Sequence, residues 1–302
     1  MSNQLTIQAP VTAEGIGLHT AVHTRVRLLP APPDTGIVFR RIDLDNFEIE
    51  AHVRNVARVS YATSLMKQGV LLSTTEHLLA ALYSCGIDNV LVDIDSIEIP
   101  ILDGSAEPFM QMIERAGIRK LRRKRRYLKV LKPLEVVEDD RRIGIYPADE
   151  FCVRCYVDFP HPLVGQQEIE MHVSPESFRQ LLARARTFCF ERQIEPLRAM
   201  GLIRGGSLDN AIVLTDTGVL NGPLRFADEF GRHKALDLIG DLALIGLPLL
   251  ARVEAYKAGH ALHTQLVTRL LADKSLWTET TLDPVAVPEE SLPLSASLPA
   301  TS

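Results

Sequence analysis

Residues 224–246 read LRFADEFGRHKALDLIGDLALIG, and this stretch decides how the rest of the sequence is interpreted. Leucine, isoleucine and alanine occur on nearly every side of a helix drawn through it, and Pro248 follows shortly after its end. A helix that is apolar all round is buried. The pattern therefore predicts a long central helix from about Arg225 to Gly246.

His233, Asp237 and Asp241 share one face of this predicted helix, because they are spaced four residues apart. At 100° per residue the three side chains fall within about 80° of each other. Buried carboxylates need compensation, since an unpaired charge in an apolar interior is very costly. A bound divalent cation or an Arg or Lys partner from elsewhere would each provide it, and the helix alone leaves both open.

The composition excludes several classes of protein. The chain has 302 residues with 46% hydrophobic and 24% charged side chains, so it can bury a large core. Its net charge of -5 gives no overall basic field that would recruit nucleic acid. The N-terminal segment lacks the basic and apolar regions of a secretory signal, and no apolar run approaches the ~20 residues of a membrane span. We expect a cytoplasmic protein with no transmembrane segment and no nucleic-acid partner.

The four cysteines are too few and too scattered to indicate a disulfide framework. Cys152 and Cys155 form a CxxC pair, but the residues around them alternate as in a strand, where such side chains point to opposite faces. No second pair completes a four-thiolate zinc site. We interpret these cysteines as structural.

The order of predicted elements indicates an α+β fold without regular βαβ alternation. Hydrophobic periodicity and turn residues predict strands over 22–30, 36–42, 89–95, 127–137, 142–147, 151–158, 211–216 and 249–257. They predict helices over 73–85, 106–116, 174–185, 225–246 and 260–273.

Residues 119–133, RKLRRKRRYLKVLKP, form the one strong run of positive charge. The run could contact nucleic acid, but the acidic chain favours a solvated connector between domains that leads into a strand. We therefore predict a first α+β domain over 1–124 and a second over 125–283. Residues 284–302 are rich in Pro, Ser and Ala, and we expect a mobile tail.

Two shorter motifs add titratable groups. Glu76 and His77 open a predicted helix, where Ser73-x-x-Glu76 also matches a capping box and His77 could be a core histidine. His260 follows a glycine at the start of the last predicted helix, and its protonated form would need an acidic partner such as Asp241. Each motif in isolation has an ordinary structural explanation.

Six separated blocks of sequence, in order, resemble one known family. TTEHLLAAL, GIDNVLVDI, EIPILDGSAEPF, ARARTFCF, LRFADEFGRHKALDLIGDLALIG and YKAGHAL are similar to the UDP-3-O-acyl-N-acetylglucosamine deacetylases. The similarity extends over about residues 5–280. It implies two similar domains, each a sheet layer with two helices, with the helices packed inside between the sheets.

The resemblance also implies a zinc-dependent mechanism. Its motifs assign one catalytic Zn²⁺ to three ligands, which are His77, His233 and Asp237. Three protein ligands leave a fourth position open for water, as in catalytic zinc sites. Glu76 is then the expected general base that takes the proton of this water.

Further motifs assign the remaining chemistry. Thr187 in ARARTF and a protonated His260 are expected to stabilise the oxyanion with the metal, and Asp241 is expected to orient His260. Glu76 and His260 both remain candidates for protonating the leaving amine. His19 belongs to another family-like motif, but we assign it no catalytic role.

The expected substrate is an acylated UDP-N-acetylglucosamine of lipid A synthesis in a Gram-negative bacterium, and we expect a monomer. Lys234 resembles a phosphate-binding lysine, and Phe159 matches a phenylalanine thought to stack near uracil. Residues 189–213 resemble an insertion that forms a passage for the acyl chain, although core packing would explain its apolar residues equally well. The expected lining residues are Phe188, Ile194, Leu197, Met200, Leu202 and Ile203.

Departures from the family pattern are few. His263 and Thr264 stand where many relatives have asparagines, and Gly231 replaces a commoner bulky residue. None of them removes a proposed catalytic group.

Overall fold

The computed structural model describes residues 3–282, and within them the chain has an α+β fold with six α-helices. The helices are α1 (Glu76–Ser84), α2 (Glu107–Ala116), α3 (Pro175–Leu181), α4 (Glu191–Ala199), α5 (Glu229–Leu242) and α6 (His260–Ala272). The predicted mobile tail over 284–302 lies outside the described residues.

The strands fall into several sheets. The first ten are β1 (Asn3–Ile7), β2 (Val11–Ile16), β3 (His23–Pro30), β4 (Ile37–Arg41), β5 (Phe47–Glu50), β6 (Val56–Arg58), β7 (Ser64–Lys67), β8 (Val70–Leu72), β9 (Val90–Ile94) and β10 (Ile118–Lys124). The others are β11 (Tyr127–Val130), β12 (Leu134–Glu138), β13 (Arg141–Pro147), β14 (Cys152–Phe159), β15 (Gly165–His172), β16 (Phe188–Phe190), β17 (Ile212–Leu214), β18 (Leu249–Tyr256) and β19 (Trp277–Thr280).

One sheet is built from the first third of the chain and has the order β2–β3–β9–β4–β5. Its neighbouring strands are antiparallel except for the parallel pair of β4 and β9. Along β3, buried Thr24, Val26 and Leu28 alternate with exposed residues. This period of two buries one face of the strand, as in a half-covered antiparallel sheet.

A second sheet of seven strands is built from residues beyond 126, and β18 lies at its centre. Strand β18 pairs antiparallel with β13 and parallel with β14 and β11. Cys155 is buried on β14, whereas Cys152 is partly exposed on the opposite face of the strand. This alternation supports the structural interpretation of both cysteines.

Helices α1, α2, α5 and α6 lie between these two sheets. Helix α1 packs along α5 and against α2, and α2 packs on β2 of the first sheet. Helix α5 packs on β14 and β15, and α6 packs on β12 and β13 of the second sheet. One continuous apolar cluster joins both layers. The α+β fold with internal helices is therefore confirmed, whereas the domain boundary at residue 124 stays a prediction.

The basic run is exposed to solvent, as expected, but it has regular structure of its own. Its first part forms β10, which pairs antiparallel with β1 near the N-terminus and is almost entirely exposed. Charged side chains on an edge strand discourage unwanted pairing with other chains. The strand predicted over 127–137 is split into β11 and β12 around Pro133, which has no N–H for a sheet hydrogen bond.

Two helix starts also differ from the prediction, each for a local reason. Helix α1 begins at Glu76 instead of Ser73, because Ser73 forms a β-bridge with Glu98 and Thr74 has a positive φ of 60°. Helix α5 begins at Glu229 instead of Arg225, since the buried Glu229 carboxylate accepts the backbone N–H of Arg225. Short 3₁₀ helices occur over Val53–Asn55 and Ala243–Ile245, and the second continues α5.

Gly240 allows α1 and α5 to approach closely. A Cβ at Gly240 would lie 2.1 Å from the backbone oxygen of Glu76 and 3.0 Å from its Cα. The atoms in the way belong to a helix backbone, which cannot move aside cheaply. The absence of a side chain at this position therefore sets the distance between the two helices.

We predict that Gly240→Ala destabilises the protein, with a fall in the free energy of unfolding of at least about 2 kcal/mol. In an ordinary helix interior the same change would stabilise by roughly 0.5 to 1 kcal/mol. Urea unfolding measures the difference. Gly231→Ala in the same helix is the control, because the three atoms nearest to its new Cβ, at 3.0 to 3.5 Å, are side-chain atoms of Gln167 and Ile169. Equal stability of the two variants would contradict this role of Gly240.

Candidate metal centre and active site

Helices α1 and α5 bring three of the predicted site residues together. The Nε2 atoms of His77 and His233 lie 3.6 and 3.4 Å from Oδ1 of Asp237, and all three side chains are buried. Their candidate ligand atoms lie within 4.8 Å of one another. In a tetrahedral zinc site, with bonds of about 2.0 to 2.2 Å, two ligand atoms are roughly 3.3 to 3.6 Å apart. The spacing fits a shared divalent ion.

The imidazole of His233 is oriented for ligation. Its Nδ1 lies 3.0 Å from the backbone oxygen of Ala185. Donation of this N–H places the free electron pair on Nε2, which faces Asp237. Burial lowers the pKa of His233 to about 4, so the ring is neutral near pH 7. The two histidine rings meet edge to face with centroids 4.9 Å apart.

Asp237 has a lysine partner on its own helix and also faces the two imidazoles. Its Oδ1 faces the two imidazoles, and its Oδ2 accepts a hydrogen bond of 2.9 Å from Lys234. Burial alone would raise the pKa of Asp237, but His233 and Lys234 hold it well below its usual range. The carboxylate is thus paired with a lysine and still presents one oxygen to a metal.

Glu76 lies at the first residue of α1, beside His77, and its carboxylate is buried. The capping box with Ser73 does not form, because Thr75 is the N-cap residue and the Ser73 hydroxyl contacts Ser64. Instead, Glu76 Oε2 accepts the backbone N–H of Thr63 at 3.1 Å. Burial raises the pKa of Glu76, although His260 and His77 oppose the shift. A raised pKa brings a carboxylate closer to the range of a general base.

Asp241 and His260 form the pair that the sequence suggested. His260 Nδ1 lies 2.6 Å from Asp241 Oδ2, and both residues are buried. Burial would lower the pKa of His260, but the Asp241 carboxylate raises it to about 9. Burial would raise the pKa of Asp241, but His260 lowers it to about 2. The pair is therefore charged at neutral pH.

Two neighbours of this pair were missed by sequence reasoning. His263 Nδ1 also lies 2.7 Å from Asp241 Oδ2, and the Thr63 hydroxyl donates to Asp241 Oδ1 at 2.5 Å. The HxxH spacing of His260 and His263 on one helix face was a usable signal. The contact of Thr63 has no such signal, since it joins positions 178 residues apart.

A cavity of about 330 Å³ lies beside the candidate metal ligands, Glu76 and His260. Its lining includes most of the predicted site residues, namely Glu76, His77, Thr187, Phe188, His233, Lys234, Asp237 and His260. Arg141 also lines it, although none of the sequence motifs contains this residue. Phe159 packs against Phe188 and Phe190 and is not among the lining residues. The expected contact of Phe159 with a bound base thus has no support from this cavity.

A second cavity of about 200 Å³ adjoins the first and is mainly apolar. Leu18, Tyr61, Thr187 and Phe188 line both cavities. The second is formed largely by residues 189–213, which contain α4. Of the residues expected there, Phe188, Ile194, Leu197 and Ile203 line it, whereas Met200 and Leu202 do not. Met200 is instead 59% exposed at the end of α4.

Comparison with known proteins gives consistent results. A family model described as UDP-3-O-acyl N-acetylglycosamine deacetylase matches residues 4–272. Proteins named UDP-3-O-acyl-N-acetylglucosamine deacetylase are similar along nearly their whole length. The protein of Solibacter usitatus is 54% identical, and the match covers 95% of this chain and 97% of the relative. The protein of Anaeromyxobacter sp. is 48% identical, and the match covers 90% of this chain and 89% of the relative. The protein of Anaeromyxobacter dehalogenans is 46% identical, and the match covers 90% of this chain and 88% of the relative.

A buried His–His–Asp group beside a carboxylate and an imidazole–carboxylate pair has the components of a hydrolase site. Together with the matched family model and relatives, it identifies the class as deacetylase. The chain belongs to the UDP-3-O-acyl N-acetylglycosamine deacetylase family. Across residues 3–282, no helix combines the length and apolarity that crossing a bilayer requires.

The Asp241–His260 pair predicts a specific dependence of stability on pH. The folded pKa of His260, about 9, is above its ordinary value of 6.5. Its contribution is therefore complete below about pH 6.5 and is lost as the pH rises through about 9. Asp241 contributes above its ordinary pKa of 3.8 and loses this contribution as the pH falls through about 2.

We expect Asp241→Asn to remove most of the decline in unfolding free energy between about pH 6.5 and 9. Without the carboxylate, burial keeps His260 neutral in the folded state. Urea unfolding of chelator-treated wild type and variant at several pH values measures the difference, free of pH effects on metal binding. Parallel curves for the two proteins would show that the pair does not carry this pH dependence.

Proposed function

We propose that the chain hydrolyses the acetamide of UDP-3-O-(3-hydroxyacyl)-N-acetylglucosamine with the help of one zinc ion. The products are UDP-3-O-acyl-glucosamine and acetate. The observation that carries the proposal is the buried group of His77, His233 and Asp237, whose spacing fits a tetrahedral ion with an open position. The names of the related deacetylases support the same substrate.

A zinc ion held by these residues would lower the pKa of a bound water and polarise the acetamide carbonyl. Glu76 takes the proton of the attacking water. Its Oε2 is occupied by the Thr63 N–H, which orients the carboxylate and leaves Oε1 for this task. The water oxygen bonds to the acetyl carbon, and the carbonyl oxygen becomes an oxyanion.

His260 and Thr187 stabilise the oxyanion from the walls of the same cavity. His260 presents a positive charge, since Asp241 holds its Nδ1–H and raises its pKa. The bond from carbon to nitrogen then breaks, and the leaving amine takes a proton from Glu76 or His260. Acetate and the free amino sugar are released.

Recognition of the substrate would use both cavities. Lys234 and Arg141 line the first cavity and provide positive charge for a diphosphate, although Lys234 is paired with Asp237 in the structure. The adjoining apolar cavity suits an acyl chain, and Phe188 lies at the junction of the two. We also assign the reaction to the committed step of lipid A synthesis in the cytoplasm, carried out by a monomer.

We predict that Glu76→Gln binds zinc like the wild type but loses at least about 100-fold in kcat, because it cannot accept a proton. His233→Ala should lose both zinc and activity. Metal analysis of the purified chains, alongside turnover of UDP-3-O-acyl-N-acetylglucosamine and of free N-acetylglucosamine, tests the proposal. His172→Ala, on the outer strand β15, is the control. Turnover of the free sugar alone, or full activity of Glu76→Gln, would refute the assignment.

A second prediction concerns the acyl chain. Ala211 lines the apolar cavity, so Ala211→Leu should fill part of it. We expect KM for a substrate with a long acyl chain to rise roughly tenfold, the effect of a few methylene groups. KM for a substrate with a two-carbon acyl group should not change. An equal rise for both substrates would place the acyl chain elsewhere.

A further inference from the structure

Thr63 is a fully buried residue that connects the two proposed proton-transfer groups. It immediately precedes β7 and lies outside the sequence motifs that carry the other site residues. Its backbone N–H donates to Glu76 Oε2 at 3.1 Å, and its hydroxyl donates to Asp241 Oδ1 at 2.5 Å. One residue therefore contacts the carboxylates of both Glu76 and the Asp241–His260 pair.

The position of Thr63 is itself fixed by α1. Its carbonyl oxygen accepts the backbone N–H of Thr75 at 3.2 Å and the Thr75 hydroxyl at 3.1 Å. Thr75 immediately precedes Glu76, so Thr63 is anchored to the start of the helix that carries the proposed base. Its hydroxyl then extends from this anchor to Asp241 on α5.

The directions of these hydrogen bonds follow from the charge state of Asp241. A carboxylate only accepts, so the Thr63 hydroxyl and the His260 Nδ1–H must both donate to it. Oδ2 receives both His260 and His263, whereas Oδ1 receives Thr63. The Thr63 hydroxyl thus fixes the orientation of the Asp241 carboxylate. The carboxylate in turn fixes the imidazole of His260 through Nδ1, which leaves Nε2 as the ring nitrogen that can contact a substrate.

We propose that Thr63 is a positioning residue for the reaction, whose hydroxyl donates to Asp241, lies 3.2 Å from His260 Nδ1 and so fixes both side chains relative to Glu76. Its catalytic consequence rests on the proposed deacetylation. Thr63 contacts no reacting atom, so its loss should lower kcat and leave substrate binding and the metal unchanged.

Thr63→Val removes the hydroxyl while preserving the shape of the side chain and the N–H to Glu76. We expect kcat to fall between about 10- and 100-fold, the loss of one hydrogen bond to a charged group, with KM changed by less than about twofold. Thr63→Ser keeps a hydroxyl and should retain kcat within about threefold. All variants should hold as much zinc as the wild type.

Thr6→Val is the matched control for the loss of a buried threonine hydroxyl. Thr6 is fully buried in β1, and its hydroxyl oxygen accepts the N–H of Ala31 away from the cavity. This variant should lose stability and keep kcat. A fall in kcat for Thr63→Ser as large as for Thr63→Val, or an unchanged kcat for Thr63→Val, would overturn the proposal.

A double-mutant cycle on unfolding tests the contact without using activity. Thr63→Val should raise the unfolding equilibrium constant about tenfold in the wild type and less than about twofold in an Asp241→Ala background. Equal effects in both backgrounds would show that the two side chains are not coupled and would overturn the proposal. A wild-type chain without deacetylase activity would refute the proposed function alone, since the unfolding cycle would still decide the contact.

Discussion

The close packing of α1 on α5 is the constraint on which the site depends. Gly240 has no side chain, so the backbone of α5 can lie directly against the backbone around Glu76. This approach brings His77 from one helix to within 3.6 Å of Asp237 on the other. Helix α1 packs with α2 next to the first sheet, and α5 packs on the second sheet. The contact that joins the two sheet layers therefore also brings His77, His233 and Asp237 together. Stability and site geometry therefore have a common origin.

Burial determines how each polar residue at this interface behaves. The same desolvation lowers the pKa of His233, which keeps this imidazole neutral near pH 7, and raises the pKa of Glu76 towards the range of a general base. The pKa of His260 is raised instead, because the Asp241 carboxylate stabilises the charged imidazole by more than desolvation destabilises it. A neutral imidazole and a charged imidazole are thus held in one cavity, and the difference follows from their different neighbours.

Much of this could be read from the sequence, for reasons that particular residues make clear. His233, Asp237 and Asp241 share a helix face, and helical periodicity places them without knowledge of the fold. The proximity of His77 to His233 and Asp237 was implied by the family resemblance alone, since no local pattern relates positions so far apart in the sequence. The predicted start of a helix was wrong where a tertiary contact outweighed the local sequence pattern. At α5, for example, the backbone N–H of Arg225 donates to the Glu229 carboxylate, and the helix begins only at Glu229. The role of Thr63 could not be predicted from the sequence, because a buried threonine before a strand has the same local pattern whether or not it contacts a catalytic residue.

The central claim is that one zinc ion binds between α1 and α5. Anomalous diffraction at the zinc edge from crystals of the zinc-loaded chain tests it most directly. The account predicts a single strong peak about 2.0 to 2.2 Å from His77 Nε2, His233 Nε2 and an oxygen of Asp237. A peak at the neighbouring group of Asp241, His260 and His263, with none between the two helices, would contradict it.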